Sequence, residues 1–161
     1  MGDPGPTSAA ALRILVTEAE FDLAAEAERL ETGPETGAVV TFLGRVRDVV
    51  SEDGGGLRHM EIEHYPGMTE RALEAIAREA ADRWPLAGVT VIHRYGHLAP
   101  GDRIMMVATS SRHREAAFEA AAFLMDYLKS RAPFWKKEVT ADGEAWVAAV
   151  EKDEDALGRW R

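Results

Sequence analysis

The run from Ser110 to Glu138 constrains the fold more than any other part of the chain. Its first part sets Ala117, Phe118, Ala121, Leu124, Met125 and Leu128 at helical spacing, and Ser110 or Ser111 offers an N-cap. A long helix reaching about Arg131 is predicted. Pro133 disfavours helical geometry at Ala132, so the helix must stop there. Phe134–Thr140 then reads as a strand, and Glu144–Val150 closes a hairpin around Asp142-Gly143. A helix that runs through a proline straight into a hairpin needs a sheet against which both can pack.

The remaining segments supply that sheet. Gly37–Leu43 is apolar and β-branched, and reads as a buried strand. His59–Tyr65 alternates, with Met60 and Ile62 on one face and His59, Glu61 and Glu63 on the other. Met68–Trp84 is a helix with Leu73, Ile76, Ala77 and Ala80 inward, stopped by Pro85. Val89–Arg94 and Ile104–Thr109 are further strands, with a turn at Pro100-Gly101 between them. Val16–Glu31 reads as a helix capped by Thr17, with Phe21, Leu23, Ala24, Ala27 and Leu30 on its apolar face. Strands and helices therefore interleave as an α+β fold on a mostly antiparallel or mixed sheet. One domain of residues 13–150 is expected, between a floppy Gly/Pro/Ala-rich tail (1–12) and a charged C-terminal tail (151–161).

Charge and composition exclude several classes. The net charge is −9 and the sequence pI about 5.1, which argues against broad nucleic-acid binding. No apolar run approaches the roughly 20 residues of a membrane span. The N-terminus lacks the pattern of a signal peptide, so a cytoplasmic protein is expected. Absence of cysteine removes disulfides, thiolate metal sites and a Cys nucleophile. Any sulfur chemistry must use sulfur brought by another molecule.

Against this acidic background, Lys129-Ser130-Arg131-Ala132-Pro133-Phe134-Trp135-Lys136-Lys137-Glu138 is a basic, aromatic island. Cations flanked by rings suit a flat, anionic substrate. A plainer reading is a helix C-terminus whose cations complement the dipole, with Phe134 and Trp135 as core. Elsewhere, Arg45 and Arg47 share one side of an extended segment by alternation and suit a phosphate or carboxylate. His113 and Arg114, placed in the first turn of the long helix, would make an anion site with its free amides.

These landmarks together resemble the large, catalytic subunit family of molybdopterin synthase. The matching segments are GAVVTFLGRVRD (37–48), EHYPGMTE (63–70), RWPLAGVTVIHRYGHLAPGD (83–102), SSRHREAAFEAAAFLMDYLKSRAPFWKKE (110–138) and GEAWV (143–147). The resemblance implies an α/β hammerhead-type fold with a small additional antiparallel subdomain. It implies sulfur transfer to cyclic pyranopterin monophosphate, giving the dithiolene of molybdopterin. The sulfur donor would be a small ubiquitin-like subunit with a C-terminal Gly-Gly thiocarboxylate. The implied assembly is a central homodimer with one small subunit at each end. No cofactor or metal is required.

By the resemblance, Lys129, in its LKSRAP context, is the first catalytic candidate. A lysine at a desolvated helix end can have a depressed pKa, and it could stabilise charge as sulfur attacks. Lys136 is the second, since the chain can return it to the same pocket after Pro133. Arg45, Val46, Arg47, His113, Arg114, Lys137 and Glu138 match the family's substrate-binding segments. Alternation puts Lys136 and Glu138 on one strand face and Lys137 on the other. His113 and Lys129 stand 16 residues apart on one helix, roughly 24 Å, too far for one small substrate. The site is therefore expected to be shared, with His113 and Arg114 supplied by the neighbouring copy.

Other signals carry less. His93-x-x-x-His97 has helical metal-pair spacing but lies on a strand. Glu61 and Glu63 read as solvated strand residues. Gly54-Gly55-Gly56 lacks a P-loop lysine. The alternative function is a non-catalytic module that binds a phosphorylated metabolite or a partner's acidic tail. Single-stranded RNA stacking on Phe134 and Trp135 is weakened by the acidic charge.

Overall fold

A computed structural model describes residues 9–48, 56–147 and 151–161. Eight strands and four helices follow in the order β1 (Ala11–Thr17), α1 (Leu23–Glu28), β2 (Ala38–Arg45), β3 (Leu57–His64), α2 (Met68–Arg83), β4 (Leu86–Arg94), β5 (Gly96–Leu98), β6 (Arg103–Ser111), α3 (Arg114–Arg131), β7 (Phe134–Thr140), β8 (Gly143–Trp146) and α4 (Glu151–Leu157), with a closing 3-10 turn at Gly158–Trp160.

The strands form two four-stranded sheets. The first has the order β1-β4-β6-β2 and the second β5-β3-β7-β8. Among the described residues only β1 and β4 run parallel; the other pairs are antiparallel. The fold is α+β with an antiparallel bias, as expected, and the second sheet is the small additional one.

The first sheet is covered on both faces, which explains why β4 and β6 are apolar throughout. On one face Val89, Val91 and Val107 pack with Leu73 and Ile76 of α2 and with Phe123 and Leu124 of α3. On the other, Ile92, Met106 and Ala108 pack under Phe21 and Leu30. Alternation sends successive residues of one strand to opposite cores.

Three expectations need correction. Val16–Glu31 is not one helix. Val16 and Thr17 end β1, which pairs in register with β4 from Ala11 to Thr17. The helix is only α1, capped by Asp22, whose Oδ1 accepts from the Ala25 amide at 3.1 Å. Arg13 holds it to β1 through a bidentate pair with buried Glu26, at 2.7 and 2.9 Å.

Next, α3 begins later than predicted. β6 continues through Ser111, whose hydroxyl donates to the Pro85 carbonyl, and His113 is the N-cap residue. Phe118 is 60% exposed and lies outside the core.

The C-terminal residues 151–161, expected as a charged tail, are also helical and docked. Leu157 is buried, and Trp160 meets Trp84 and Phe123 edge-on at 5.6 Å each. The Trp160 indole donates to Asp126 at 2.6 Å. The Gly54-Gly55 part of the glycine run lies outside the described residues, and so does the end of the predicted last strand, 148–150.

Candidate active site

The site grows from the break at Pro133. Ala132 leaves the helix in extended geometry (φ −76°, ψ 134°), and β7 runs back antiparallel to β3. This reversal brings Lys129, in the last turn of α3, and Lys136, in β7, to the same pocket of about 490 Å3. Met105, Met125 and Leu128 supply apolar wall; Phe134, Trp135 and Trp146 supply rings; His93 and Asp153 supply polar groups. A second hollow of about 500 Å3 adjoins it, bordered by Glu63, His64 and Tyr65 and by the same Trp135 and Trp146. Tyr65, Trp135 and Trp146 are exposed by 58%, 46% and 55%, so the approach to the lysines is lined with open aromatic surface.

The two lysines differ. Lys129 is exposed, whereas Lys136 is half-buried. Burial pushes the pKa of Lys136 below the ordinary lysine value of 10.5, and the charge of Lys129 pushes it the same way. Asp153 acts in the opposite sense. A cation beside an amine with lowered proton affinity can bind an anion and also move a proton.

Alternation sends Lys137 away from this pocket, as expected. Its ammonium contacts Glu61 at 3.1 Å and Glu144 at 3.3 Å and lies over the Trp146 ring at 5.3 Å. Glu138 is half-buried opposite Met60 of β3 and is not among the pocket's lining residues.

Val46 is buried, and its backbone is engaged: its N–H donates to Asp102 at 2.8 Å, and its carbonyl accepts from Gly101 at 2.7 Å. Arg45 and Arg47 flank it and are exposed; Arg45 Nε donates to the Gly101 carbonyl at 3.2 Å. Arg45 lies at the lysine end of the sheet, because the preceding Gly44 pairs with Met105 of the pocket wall.

His113 and Arg114 are exposed at the other end. Ser111, at the close of β6, pairs with Ala38 and Leu86, the first residues of β2 and β4. The structure thus brings together Lys129 and Lys136, places Arg45 at their end of the sheet, and leaves His113 and Arg114 at the opposite end of the same chain.

Among the pocket residues not singled out as site residues are Met105, Asp153 and His93. Met105 reads as core in an apolar strand, and Asp153 lies in a segment read as tail. His93 is 5% exposed at the end of β4. Its Nδ1–H donates to the Arg94 carbonyl at 2.7 Å, and its ring stacks on Phe134 at 3.7 Å. Burial holds its pKa down at about 3, so the ring is neutral near pH 7.

His97 does not join His93. It lies with His59 and Glu61, whose ligand atoms fall within 4.8 Å of one another. The two imidazoles are stacked at 3.7 Å and 23°, so their in-plane lone pairs run side by side and do not converge on one ion. Lys137 already neutralises the Glu61 carboxylate and lowers its pKa.

The profile of the MoaE protein family matches residues 16–131. A molybdopterin synthase catalytic subunit of Cereibacter sphaeroides is 61% identical over 150 residues, covering 92% of this chain and all of that protein. The chain belongs to the MoaE family, the catalytic subunits of molybdopterin synthase. The MoaE structure from Burkholderia ambifaria superposes with a TM-score of 0.76 at 51% identity, covering 94% of this chain and 97% of that one. Molybdopterin synthase from Staphylococcus aureus gives a TM-score of 0.75 at 31% identity, covering 84% and 96%. Membership in the MoaE family selects the enzyme reading over the non-catalytic module. No helix of the described residues is long and apolar enough to cross a membrane.

Proposed function

We propose that this chain transfers sulfur from the C-terminal thiocarboxylate of a small ubiquitin-like subunit to cyclic pyranopterin monophosphate, with Lys129 and Lys136 as its catalytic groups. The observation that carries this reading is the convergence of both lysines on one pocket across Pro133, with the proton affinity of Lys136 lowered. A thiocarboxylate is an anion at the end of an extended, flexible tail. The open aromatic approach of Tyr65, Trp135 and Trp146 suits such a tail and also the flat pterin.

The chemistry needs two charge-handling events. Attack by the sulfur forms a carbon–sulfur bond while a carbon–oxygen bond of the substrate breaks. The departing oxygen takes a proton, which Lys136 or Lys129 supplies. Water then cleaves the acyl–sulfur bond, so the carrier leaves as a carboxylate and the sulfur stays on the substrate. A fixed ammonium opposite each developing anion lowers the barrier, since it is already oriented. Arg45 and Arg47 serve the substrate's anionic groups. His113 and Arg114 serve them from a second copy of the chain, because their own Lys129 is too far away. The reaction is assigned to the cytoplasm, where soluble substrate and carrier meet.

Reconstitution tests this. The purified chain is mixed with thiocarboxylated small subunit and cyclic pyranopterin monophosphate, and dithiolene product is measured. Product should depend on the thiocarboxylate and fall at least about 100-fold in Lys129→Ala. Wild-type failure with carrier bound and substrate intact would overturn the assignment.

A further inference from the structure

His93 is a polar group of the pocket to which the roles above give no task, and its surroundings define it closely. A backbone carbonyl only accepts, so the 2.7 Å contact to Arg94 puts the proton of His93 on Nδ1 and leaves Nε2 bare. Arg94 cannot drift: its guanidinium donates to the Glu18 carbonyl at 2.9 and 3.1 Å and to the Arg103 carbonyl at 3.0 Å. Phe134 fixes the ring from one face at 3.7 Å with 16° between planes. Both the tautomer and the orientation are therefore set before any substrate arrives.

Nε2 has no hydrogen-bond partner among the described residues. It is not sealed in either, since Ser110 Oγ is the only enclosed side-chain polar atom without a partner there. His93 lines the lysine pocket, and Nε2, without a partner and not enclosed, is the polar atom it can offer to that space. Phe134 and Lys136 lie two apart on β7 and share a strand face, with Cβ atoms about 7 Å from each other. The strand that stacks Phe134 on His93 thus brings Lys136 into the same pocket on the same strand face. The Lys136 amine has no ion pair or hydrogen bond among the described residues, and its charge is felt at His93.

We propose that His93 is a positioning residue for sulfur transfer: its unprotonated Nε2 accepts a hydrogen bond from the Lys136 amine and aims that amine at the reacting atoms. An amine that gives one N–H to an imidazole keeps its lone pair, or its remaining protons, directed into the pocket. A neutral acceptor does this without adding a third cation beside Lys129 and Lys136. The inference rests on the assignment of these lysines to catalysis.

The test separates the two ring nitrogens. Asparagine reproduces the Nδ1 position and glutamine the Nε2 position. In single-turnover reconstitution, His93→Asn should slow the rate at saturating substrate by about 10-fold or more while the half-saturating concentration moves less than about threefold. His93→Gln should recover most of the rate. Equal rates for the two variants would overturn the proposal, as would a loss confined to half-saturation. Lys129→Ala runs alongside. If it remains active, the assignment of the pocket fails; if it is inactive while both His93 variants match wild type, only the role of His93 fails. Long-range proton–nitrogen spectra of wild-type protein give a readout independent of folding in the variants. His93 should show a protonated Nδ1 and a bare Nε2 at pH 6, and an imidazolium there would overturn the proposal.

Discussion

At the scale of single residues, the chemistry turns on how Lys136 differs from an ordinary lysine. Three causes act on it, and two can be removed separately. Lys129→Ala deletes a neighbouring positive charge, so the pKa of Lys136 should rise toward 10.5. Asp153→Asn deletes the group that favours the ammonium, so the pKa should fall further. Acylation of Lys136 by an amine-specific reagent, followed by mass spectrometry across pH, reads the neutral fraction directly. Opposite shifts of the midpoint are expected, and unmoved midpoints in both variants would leave burial as the sole cause. The linkage has a definite sign. The folded chain releases this proton at lower pH than the unfolded chain, so the contribution of Lys136 to stability rises with pH through that alkaline interval. Lys129 was legible through the family resemblance of its LKSRAP context, and Lys136 because the chain can reverse at Pro133 and return it to the same pocket. His93 was not, because in the sequence it stood out only as half of a His-x-x-x-His spacing that a strand makes meaningless, and its value lies in which atoms its two nitrogens meet.

At the scale of elements, periodicity located the long pieces and failed where two short ones adjoin. α2 and β3 stand close to where apolar spacing put them, since each has one buried and one wetter face, and β7 stands where Pro133 and the Asp142-Gly143 turn put it. Residues 16–31 gave helical spacing by accident: strand β1 and the six-residue α1 together place Val16, Phe21 and Leu30 inward, and only pairing with β4 distinguishes them. The C-terminal residues misled for a different reason. Charge dominates their composition, yet one tryptophan docks them. Trp160 touches Trp84 and Phe123, donates to Asp126, and its carbonyl accepts from Arg83 at 2.6 Å. Arg159 also pairs with Asp126 at 2.7 Å. Trp160→Ala should destabilise the fold by about 2–4 kcal/mol in chemical denaturation, toward the low end because the ring is only half-buried. An unchanged midpoint would mean that α4 and the closing turn add nothing to stability.

At the scale of the whole molecule, two rulers give the same answer about where the site's parts lie. Along α3, His113 and Lys129 are separated by about 24 Å at 1.5 Å per residue. Along β6, Ser111 stands beside the entrance to α3, whereas Met105 lies in the lysine pocket, about 20 Å away at 3.3 Å per residue. No bend in one chain closes that gap, because Phe123, Leu124 and Leu128 hold α3 in the same core as Met105 and Val107 of β6. If Arg114 and Lys129 serve one substrate, they come from two copies related by symmetry. Complementation decides it. A Lys129→Ala chain and an Arg114→Ala chain, carrying different tags, are purified as the mixed dimer. Each homodimer has two defective sites. In the mixed dimer a shared arrangement leaves one site with both groups intact and one with neither, so about half the wild-type activity per dimer should return. An unshared arrangement leaves every site with one defect, and activity in the verified mixed dimer would stay at the level of the parents. Recovery also requires that intact and defective sites coexist in one particle, so dilution below the dimer's dissociation constant should abolish it.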